Sequence, residues 1–376
     1  MKIIFVTTVS STMNAFFKTQ IEMLVKEGHS VDLACNDTNW PIDTFYKALG
    51  CQYHRIDFSR SPLSKGNIKA YGQLSEVIKK GRYDVVHCHT PNASAITRLV
   101  CEKFRKKKKL RVFYTAHGFH FYKGAPLKNW LLYYPVEKLC AHFTDVLITI
   151  NQEDYALAQE KMKAKRIEYV PGVGLDTAKF RDAIADRREK RRELGIPEDA
   201  VLLMSVGELN ANKNHQIVIR ALGQLKDTKL HYAIAGKGQL EDDLLCLAKE
   251  LGVEENIHLL GFRQDIAQLY KAADICAFPS IREGLGLAAL EGMSAGLALI
   301  ASDNRGTRDY AVHLDNAFLC QHDSAAEFAA AIQHLSEDAA LRQKMGEKNL
   351  EIVKKFDVEK INTYMKEIYR SVGNEV

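Results

Sequence analysis

The feature that most constrains this chain is an alternation that runs, stops and starts again. Short apolar runs, "KIIFVTT", "SVDLAC", "CQYHRIDF", "DVVHCH", "RVFYTAH", "DVLITI" and "IEYVPG", are separated by helical patterns such as "NAFFKTQIEMLVKEG" and "NASAITRLVCEKFRKKKK". Strands that are apolar at nearly every residue are buried on both faces, and a parallel sheet between two helix layers buries them so. Gly28 stands where the first helix should end in a glycine cap. The charged stretch "RDAIADRREKRRELGIPEDA" then interrupts the pattern, and "VLLMSVGEL", "LHYAIAGKG", "NIHLLGF", "DICAFPS", "LALIAS" and "AFLC" resume it. At 376 residues the chain exceeds one ordinary core and suits two domains. The expectation is two parallel α/β domains, residues 1–180 and 181–355, with a ligand between them. Residues 356–376 should form a helix with Ile361, Tyr364, Met365, Ile368 and Tyr369 on one face, packing back across the boundary onto the first domain.

Composition excludes several classes. With 46% hydrophobic and 26% charged residues the chain is an ordinary globular protein. The eight cysteines include no CxxC pair, which in a chain of this length reads as reduced thiols and a cytoplasmic protein. The opening "MKIIFVTTVSST" has an apolar run too short for a signal peptide, and no run of eighteen apolar residues could span a membrane. The net charge of +5 is modest, but "KFRKKKKLR", Lys103 to Arg111, places seven bases in nine positions. Such a run is either a solvated face or a contact for an anionic surface, membrane lipid or nucleic acid.

The loops that follow strands carry the candidate chemistry. In "SIREGLGLAALEGMSAGLALIAS", Glu283 and Glu291 are separated by seven residues within an otherwise apolar or glycine-rich stretch. Glu283 should lie in a loop beyond a strand end and Glu291 one turn inside a helix that begins near Leu287. The free amides of Gly286, Leu287 and Ala288 then suit a phosphate. Glu291 beside them suits a pair of sugar hydroxyls, and Glu283 a second sugar. The competing reading caps the helix with one glutamate and pairs the other with Arg282 or Arg308. "SVGELNANKNH" puts Lys213 at a helix start, where a lysine can meet a diphosphate. "AGKGQLEDD" is a strand, a glycine turn and a helix, but the chain has neither GxGxxG nor GxxxxGK[ST], against a dinucleotide-dependent dehydrogenase or a P-loop NTPase. In "RVFYTAHGFHFYKG" a strand ends on His117, with Gly118 and His120 following. His87 and His89 share a strand face without a third ligand at metal spacing. No Asp-x-Asp occurs, so the usual carboxylate pair for a metal–diphosphate complex is absent.

On these residues the chain resembles the retaining GT-B glycosyltransferases of family four. "EGLGLAALE" is similar to their E-x7-E motif, and "SVGELNANKNH", "IAGKGQLEDDL", "IHLLGFRQDI", "AADICAFPS" and "YVPGVGLD" fall in the family's order. "VVHCHTPNAS" and "YTAHGFHFYKGAPLKNW" resemble bacterial members that build capsule, exopolysaccharide or O-antigen units. The resemblance implies two Rossmann-like domains facing a cleft, an acceptor-side domain first and a nucleotide-sugar domain second. It implies a metal-independent hexosyltransferase with a UDP-sugar as co-substrate and no cofactor. By it, Glu291 holds the ribose, Lys213 the diphosphate, and Glu283 the donor sugar. Gly207, Gly236, Gly238, Gly284, Leu285, Gly286 and Leu287 line the nucleotide sugar, Gly261, Phe262 and Arg263 sit near the base, and His117 stands beside the donor sugar as a catalytic residue with Glu283 and Lys213. The turn Thr7 to Thr12 occupies the family's first loop, without the Gly-Gly of many relatives.

Where many relatives carry arginine this chain has Glu208, so either Arg263 or another base compensates, or Glu208 turns away and pairs with Lys213. The acceptor implied is a saccharide on a polyprenyl diphosphate, at the cytoplasmic face of the inner membrane, with no nucleic acid partner. The basic run with "FHFYKG" and "LKNWLLYYP" suits that surface, and core packing of Trp130, Leu131 and Tyr133 is the rival explanation. The alternatives to transfer are a UDP-sugar epimerase of the same fold and a non-catalytic sugar-nucleotide-binding protein.

Overall fold

The computed structural model describes residues 1–108 and 110–373, with side chains throughout except at 106–108 and 372–373. The chain divides into two compact units, Met1–Gly174 with the tail from Val358, and Leu175–Asp357.

The first unit is built on β1 (Lys2–Val9), β2 (Ser30–Asn36), β3 (Gln52–Arg55), β4 (Val85–His89), β5 (Arg111–Ala116), β6 (Val146–Thr149) and β7 (Arg166–Tyr169). They pair in parallel in the order β3-β2-β1-β4-β5-β6-β7. Parallel neighbours need crossovers, and helices such as Gly66–Gly81 and Pro91–Lys108 make them. Side chains alternate across the sheet. Ile4, Val6, Val86, Cys88, Val112 and Tyr114 enter one apolar layer, and Ile3, Phe5, Val85, Phe113, Val146 and Ile148 the other.

The C-terminal helix Val358–Gly373 completes the second of these layers, burying Ile361, Met365, Ile368 and Tyr369. The Tyr369 hydroxyl meets His87 Nδ1 at 2.6 Å. Lys366 and Arg370 both reach Glu27, after the helix Lys18–Lys26. Tyr364, expected on the buried face, is exposed instead. Three residues on from Ile361 it sits about 60° back around the helix, at the margin of the stripe.

The second unit holds β8 (Val201–Val206), β9 (Leu230–Ala235), β10 (Ile257–Leu259), β11 (Ile275–Phe278), β12 (Ala298–Ser302) and β13 (Ala317–Cys320). These are also all parallel, in the order β10-β9-β8-β11-β12-β13. Each sheet reverses its direction of growth at its centre, between β1 and β4 and between β8 and β11. Beyond the carboxyl ends of strands at such a reversal, ligands of open α/β sheets bind.

The structure moves two expected boundaries. The chain leaves the first unit at Gly174, and position 180 falls inside the helix Thr177–Arg181 of the second. The entering and leaving segments of that unit are tied together. Leu175 N donates to Phe356 O at 3.0 Å, and the Thr177 hydroxyl donates to Asp357. The stretch "NAFFKTQIEMLVKEG" forms two helices, Ser10–Phe16 and Lys18–Lys26, broken at Phe17, whose side chain is buried in the core. Among the described residues no helix is long and apolar enough to cross a membrane.

Candidate active site

In the second unit the loops after β8, β9, β10 and β11 are fastened to one another through their backbones. Gly207 N donates to Ala235 O at 3.0 Å, Leu209 N to Lys237 O at 3.1 Å, and Gly236 N to Gly261 O at 2.8 Å. A Cβ on Gly236 would lie 1.8 Å from the Gly207 carbonyl oxygen, and one on Gly238 2.3 Å from that of Leu209. These two positions therefore need glycine so that one main chain can touch another. Gly261 adopts φ +64°, and Phe262 beyond it is exposed.

Lys213 lies two residues before the helix His215–Leu225, its amide donating to Asn210 Oδ1 at 3.0 Å. Its alkyl chain runs over Gly207, where a Cβ would meet Lys213 Cδ at 3.2 Å. Its ammonium reaches Glu283 Oε1 at 2.6 Å and stands 5.5 Å from the centre of the Phe278 ring. The two loops are also joined by Ile281 N to Asn212 O at 2.8 Å and Asn212 Nδ2 to Arg282 O at 3.0 Å. Thus the partner of Glu283 is Lys213, neither Arg282 nor Arg308. Arg308 is held by Asp303 at 2.7 Å. Glu208 is exposed and does not pair with Lys213.

Gly286 has φ +95°, and a Cβ there would lie 2.6 Å from the Phe278 ring. The helix Leu287–Ser294 starts at this turn with no side-chain cap. The amides of Leu287 and Ala288 have no acceptor among the described residues. Glu291 is half-buried one turn in and makes no hydrogen bond or ion pair among the described residues. Burial pushes its carboxyl up to about 6, while the charges of Lys179 and Lys213 pull the other way.

Arg263, expected near the base, is taken up by two carboxylates. Its guanidinium binds Asp265 at 2.7 and 2.6 Å and Glu193 at 2.6 Å, and those bonds hold the Asp265 carboxyl well below the usual carboxylate range. Sequence reasoning missed Arg305, a buried cation whose Nε donates to the Glu283 carbonyl oxygen at 3.3 Å. Its loop backs the glutamate turn. Asn304 Nδ2 donates to Ser280 O at 2.9 Å, Tyr310 Oη to Leu285 O at 3.0 Å, and Gly306 packs on the Leu285 backbone. The available signal was position, since "NRGTRDY" follows β12 as the other site loops follow their strands.

His117 belongs to the first unit, one residue beyond β5, with Nε2 3.2 Å from His89 Nδ1 and the Phe17 ring 5.8 Å away. Burial pulls it down to about 4, so the ring is neutral at physiological pH. The His89 ring lies against that of His87, tilted by 38° with centroids 4.1 Å apart, and His87 Nε2 meets the Thr115 hydroxyl at 2.8 Å. His120 stacks on Tyr133. The stretch Thr7 to Thr12, expected as a loop, is the end of β1 and the start of the helix Ser10–Phe16, and the Thr8 hydroxyl meets that of Thr90 at 2.7 Å. Among the described residues no group of three His, Cys, Asp or Glu side chains is arranged to hold a metal ion. The structure thus gathers Gly207, Lys213, Gly236, Gly238, Gly261, Glu283 to Leu287 and Glu291 around one set of strand ends.

Two Rossmann-like units, the second with a glutamate pair spaced by seven residues around a glycine turn, define a GT-B glycosyltransferase. The Glycosyl transferase 4-like family profile matches residues 2–151, and that of Glycosyl transferases group 1 matches residues 186–351. The chain is 38% identical over 374 residues to "Putative glycosyltransferase EpsD" of Bacillus subtilis, across 98% of this chain and 96% of that one. It is 26% identical to the UDP-Gal:alpha-D-GlcNAc-diphosphoundecaprenol alpha-1,3-galactosyltransferase of Escherichia coli, across 93% and 91% of the two chains. Among solved structures it is similar to HepE of Anabaena in complex with UDP and glucose, with a TM-score of 0.79 at 21% identity over 99% and 100% of the chains. The chain belongs to the family-four GT-B glycosyltransferases.

Proposed function

We propose that this glycosyltransferase moves a hexose from a UDP-sugar to a saccharide carried on a polyprenyl diphosphate, with retention of configuration, in the assembly of a surface polysaccharide. The observation that carries the donor half is the Lys213–Glu283 pair at 2.6 Å beside two helix amides and a Glu291 carboxylate that have no partner among the described residues. One cation and a helix N-terminus suit a diphosphate. One carboxylate suits a ribose diol, as in nucleotide folds. HepE, solved with UDP and glucose, supports the UDP-sugar. The Escherichia coli relative, named for UDP-Gal and a diphosphoundecaprenol acceptor, supports both substrates.

On this reading Lys213 exchanges Glu283 for the diphosphate as the donor binds, which frees Glu283 for the hydroxyls of the sugar. Gly284 and Leu285 follow the same turn, and His117, buried and neutral, keeps the role that the resemblance implies. Departure of the diphosphate builds negative charge where Lys213 and the helix amides stand, and stabilising that charge is the main catalytic contribution. Attack on the same face that the leaving group vacates, with the departing phosphate as base, retains configuration without a second carboxylate across the ring. Charge neutralisation by the protein makes the enzyme independent of metal, so turnover is expected to persist in excess EDTA.

Release of UDP from a UDP-sugar, measured with and without a polyprenyl-diphosphate-linked saccharide, tests the proposal. Acceptor-dependent release with a new glycosidic bond is the expected result. Release without acceptor, giving an epimerised sugar, would favour the epimerase, and binding without turnover the non-catalytic reading.

A further inference from the structure

Three histidines of the first unit stand in a line of contacts whose direction is set from one end. His87 and His89 on β4 and His117 just past β5 lie against the C-terminal helix and the helix Lys18–Lys26, which supply Tyr369 and Gln20. Burial pulls all three imidazoles down, His87 to about 3, His117 to about 4 and His89 well below its ordinary value. Each ring therefore carries a single proton at physiological pH. A neutral imidazole donates through one nitrogen and accepts through the other, and what its neighbours can offer decides which.

The Tyr369 hydroxyl is buried, and His87 Nδ1, at 2.6 Å, is its one partner among the described residues. The phenol has a proton to place, so it donates and His87 Nδ1 accepts. His87 then carries its proton on Nε2, and that N–H donates to the Thr115 hydroxyl at 2.8 Å. Thr115 accepts this bond and keeps its own proton to donate. Its register partner across β4 and β5 is His89, whose Nε2 is buried with no partner among the described residues. The Gln20 amide nitrogen is in the same condition. Gln20, His89, Thr115 and His117 line one cavity of about 10 Å³, room for a single water with the polar partners it needs. A water that accepts from Thr115 or Gln20 donates to His89 Nε2. The His89 proton is then on Nδ1, 3.2 Å from His117 Nε2. His117 Nε2 accepts, which leaves the His117 proton on Nδ1, a nitrogen without a hydrogen bond among the described residues.

We propose that Tyr369, His87, Thr115 and His89, with one water in that cavity, are positioning residues that fix the His117 proton on Nδ1, so that His117 offers its ligand an N–H and not a bare lone pair. No proton moves along the chain; each bond sets the direction of the next. What the N–H does rests on the place of His117 beside the donor sugar. There, a ring fixed in this way donates to a hydroxyl oxygen and does not act as a base through Nδ1.

The test uses the full-length protein with its histidines labelled in the heavy nitrogen isotope, at pH 7.5. Proton–nitrogen correlation spectra separate the protonated from the bare nitrogen of each ring, and the signals lost in His117→Gln, His89→Leu and His87→Gln assign them. Wild type should show the proton on Nδ1 of His117 and His89 and on Nε2 of His87. In His89→Leu the donor to His117 is gone, and His117 should no longer hold its proton on Nδ1 alone. The kcat/KM of that variant for UDP-glucose or UDP-galactose should fall about tenfold, the scale of one hydrogen bond, with affinity for UDP unchanged. His89→Asn, whose amide can place an N–H where Nδ1 stood, should recover to within about threefold. Thr115→Val, of the same shape without the hydroxyl, should weaken the Nδ1 preference of His117 whether or not the leucine variant folds. A wild-type His117 with its proton on Nε2, or an Nδ1 preference untouched by both His89→Leu and Thr115→Val, would overturn the proposal. Loss of the preference in His89→Leu with kcat/KM undiminished would uphold the chain and remove His117 from the donor sugar instead.

Discussion

The two sheets obey one rule, with loops of interest after their strands and a reversal of strand order at the centre, yet those loops are made of different materials. In the second unit they are glycine turns held by main-chain hydrogen bonds, with Gly236 standing on the Gly207 carbonyl. In the first the strand ends are held by side chains: His87 to Tyr369 and Thr115, His89 to His117, and Thr8 to Thr90. A backbone-built site presents amides and tolerates few substitutions at its contact points. A side-chain-built site presents neutral imidazole and draws on a helix from the far end of the chain.

Substitutions can break that contrast, the largest effect first. Gly236→Val forces a side chain into a carbonyl oxygen 1.8 Å away. Overpacking of this kind costs about 3 kcal/mol, which for a unit of this size lowers the melting temperature by roughly 6–12 °C. Scanning calorimetry should place that loss in the second unit alone; an unchanged transition would mean the loops are not docked as described. Lys213→Ala should lower turnover about ten- to a hundredfold, or roughly 1.5–3 kcal/mol, with the fold intact, because it removes the ammonium that Glu283 holds beside the helix amides. Near-normal turnover in steady-state assays would remove Lys213 from the site. Tyr369→Phe should cost only about 1 kcal/mol, by taking one buried hydrogen bond from His87. Its melting shift of roughly 2–4 °C should fall in the first unit.

The same contrast explains what the sequence made legible. The second unit's site was readable because glycines and glutamates in an apolar run leave few other readings, and their spacing reflects strand, turn and helix directly. Arg305 was not readable, since one arginine in "NRGTRDY" looks like any surface base until the fold buries it. Nor could the partner of Glu283 be chosen from sequence: Lys213 lies seventy residues away, and only the β8–β11 pairing brings the two loops together. In the first unit His87 and His89 were visible on one strand face, but their use is set by Tyr369, 282 residues later than His87. The exposure of Tyr364 and Leu131 depended on a few tens of degrees of helix rotation, which periodicity alone does not resolve.

Glu291 offers the most direct test. Its folded value of about 6 lies above its ordinary 4.5. Through this group the unliganded second unit therefore loses stability as pH rises from 4.5 to 6, while the ionised form it gains is the one that can accept from a ribose diol. Calorimetric titration of UDP into wild type and Glu291→Gln at pH 7.5 and pH 5 isolates the effect, because the variant carries the titration of the ligand's own phosphate. The predicted advantage of wild type is about tenfold at pH 7.5, shrinking to about twofold at pH 5 as the carboxylate is protonated. Equal affinity of the two proteins at pH 7.5, or an advantage that does not change with pH, would contradict the claim that Glu291 and the turn before it hold the nucleotide.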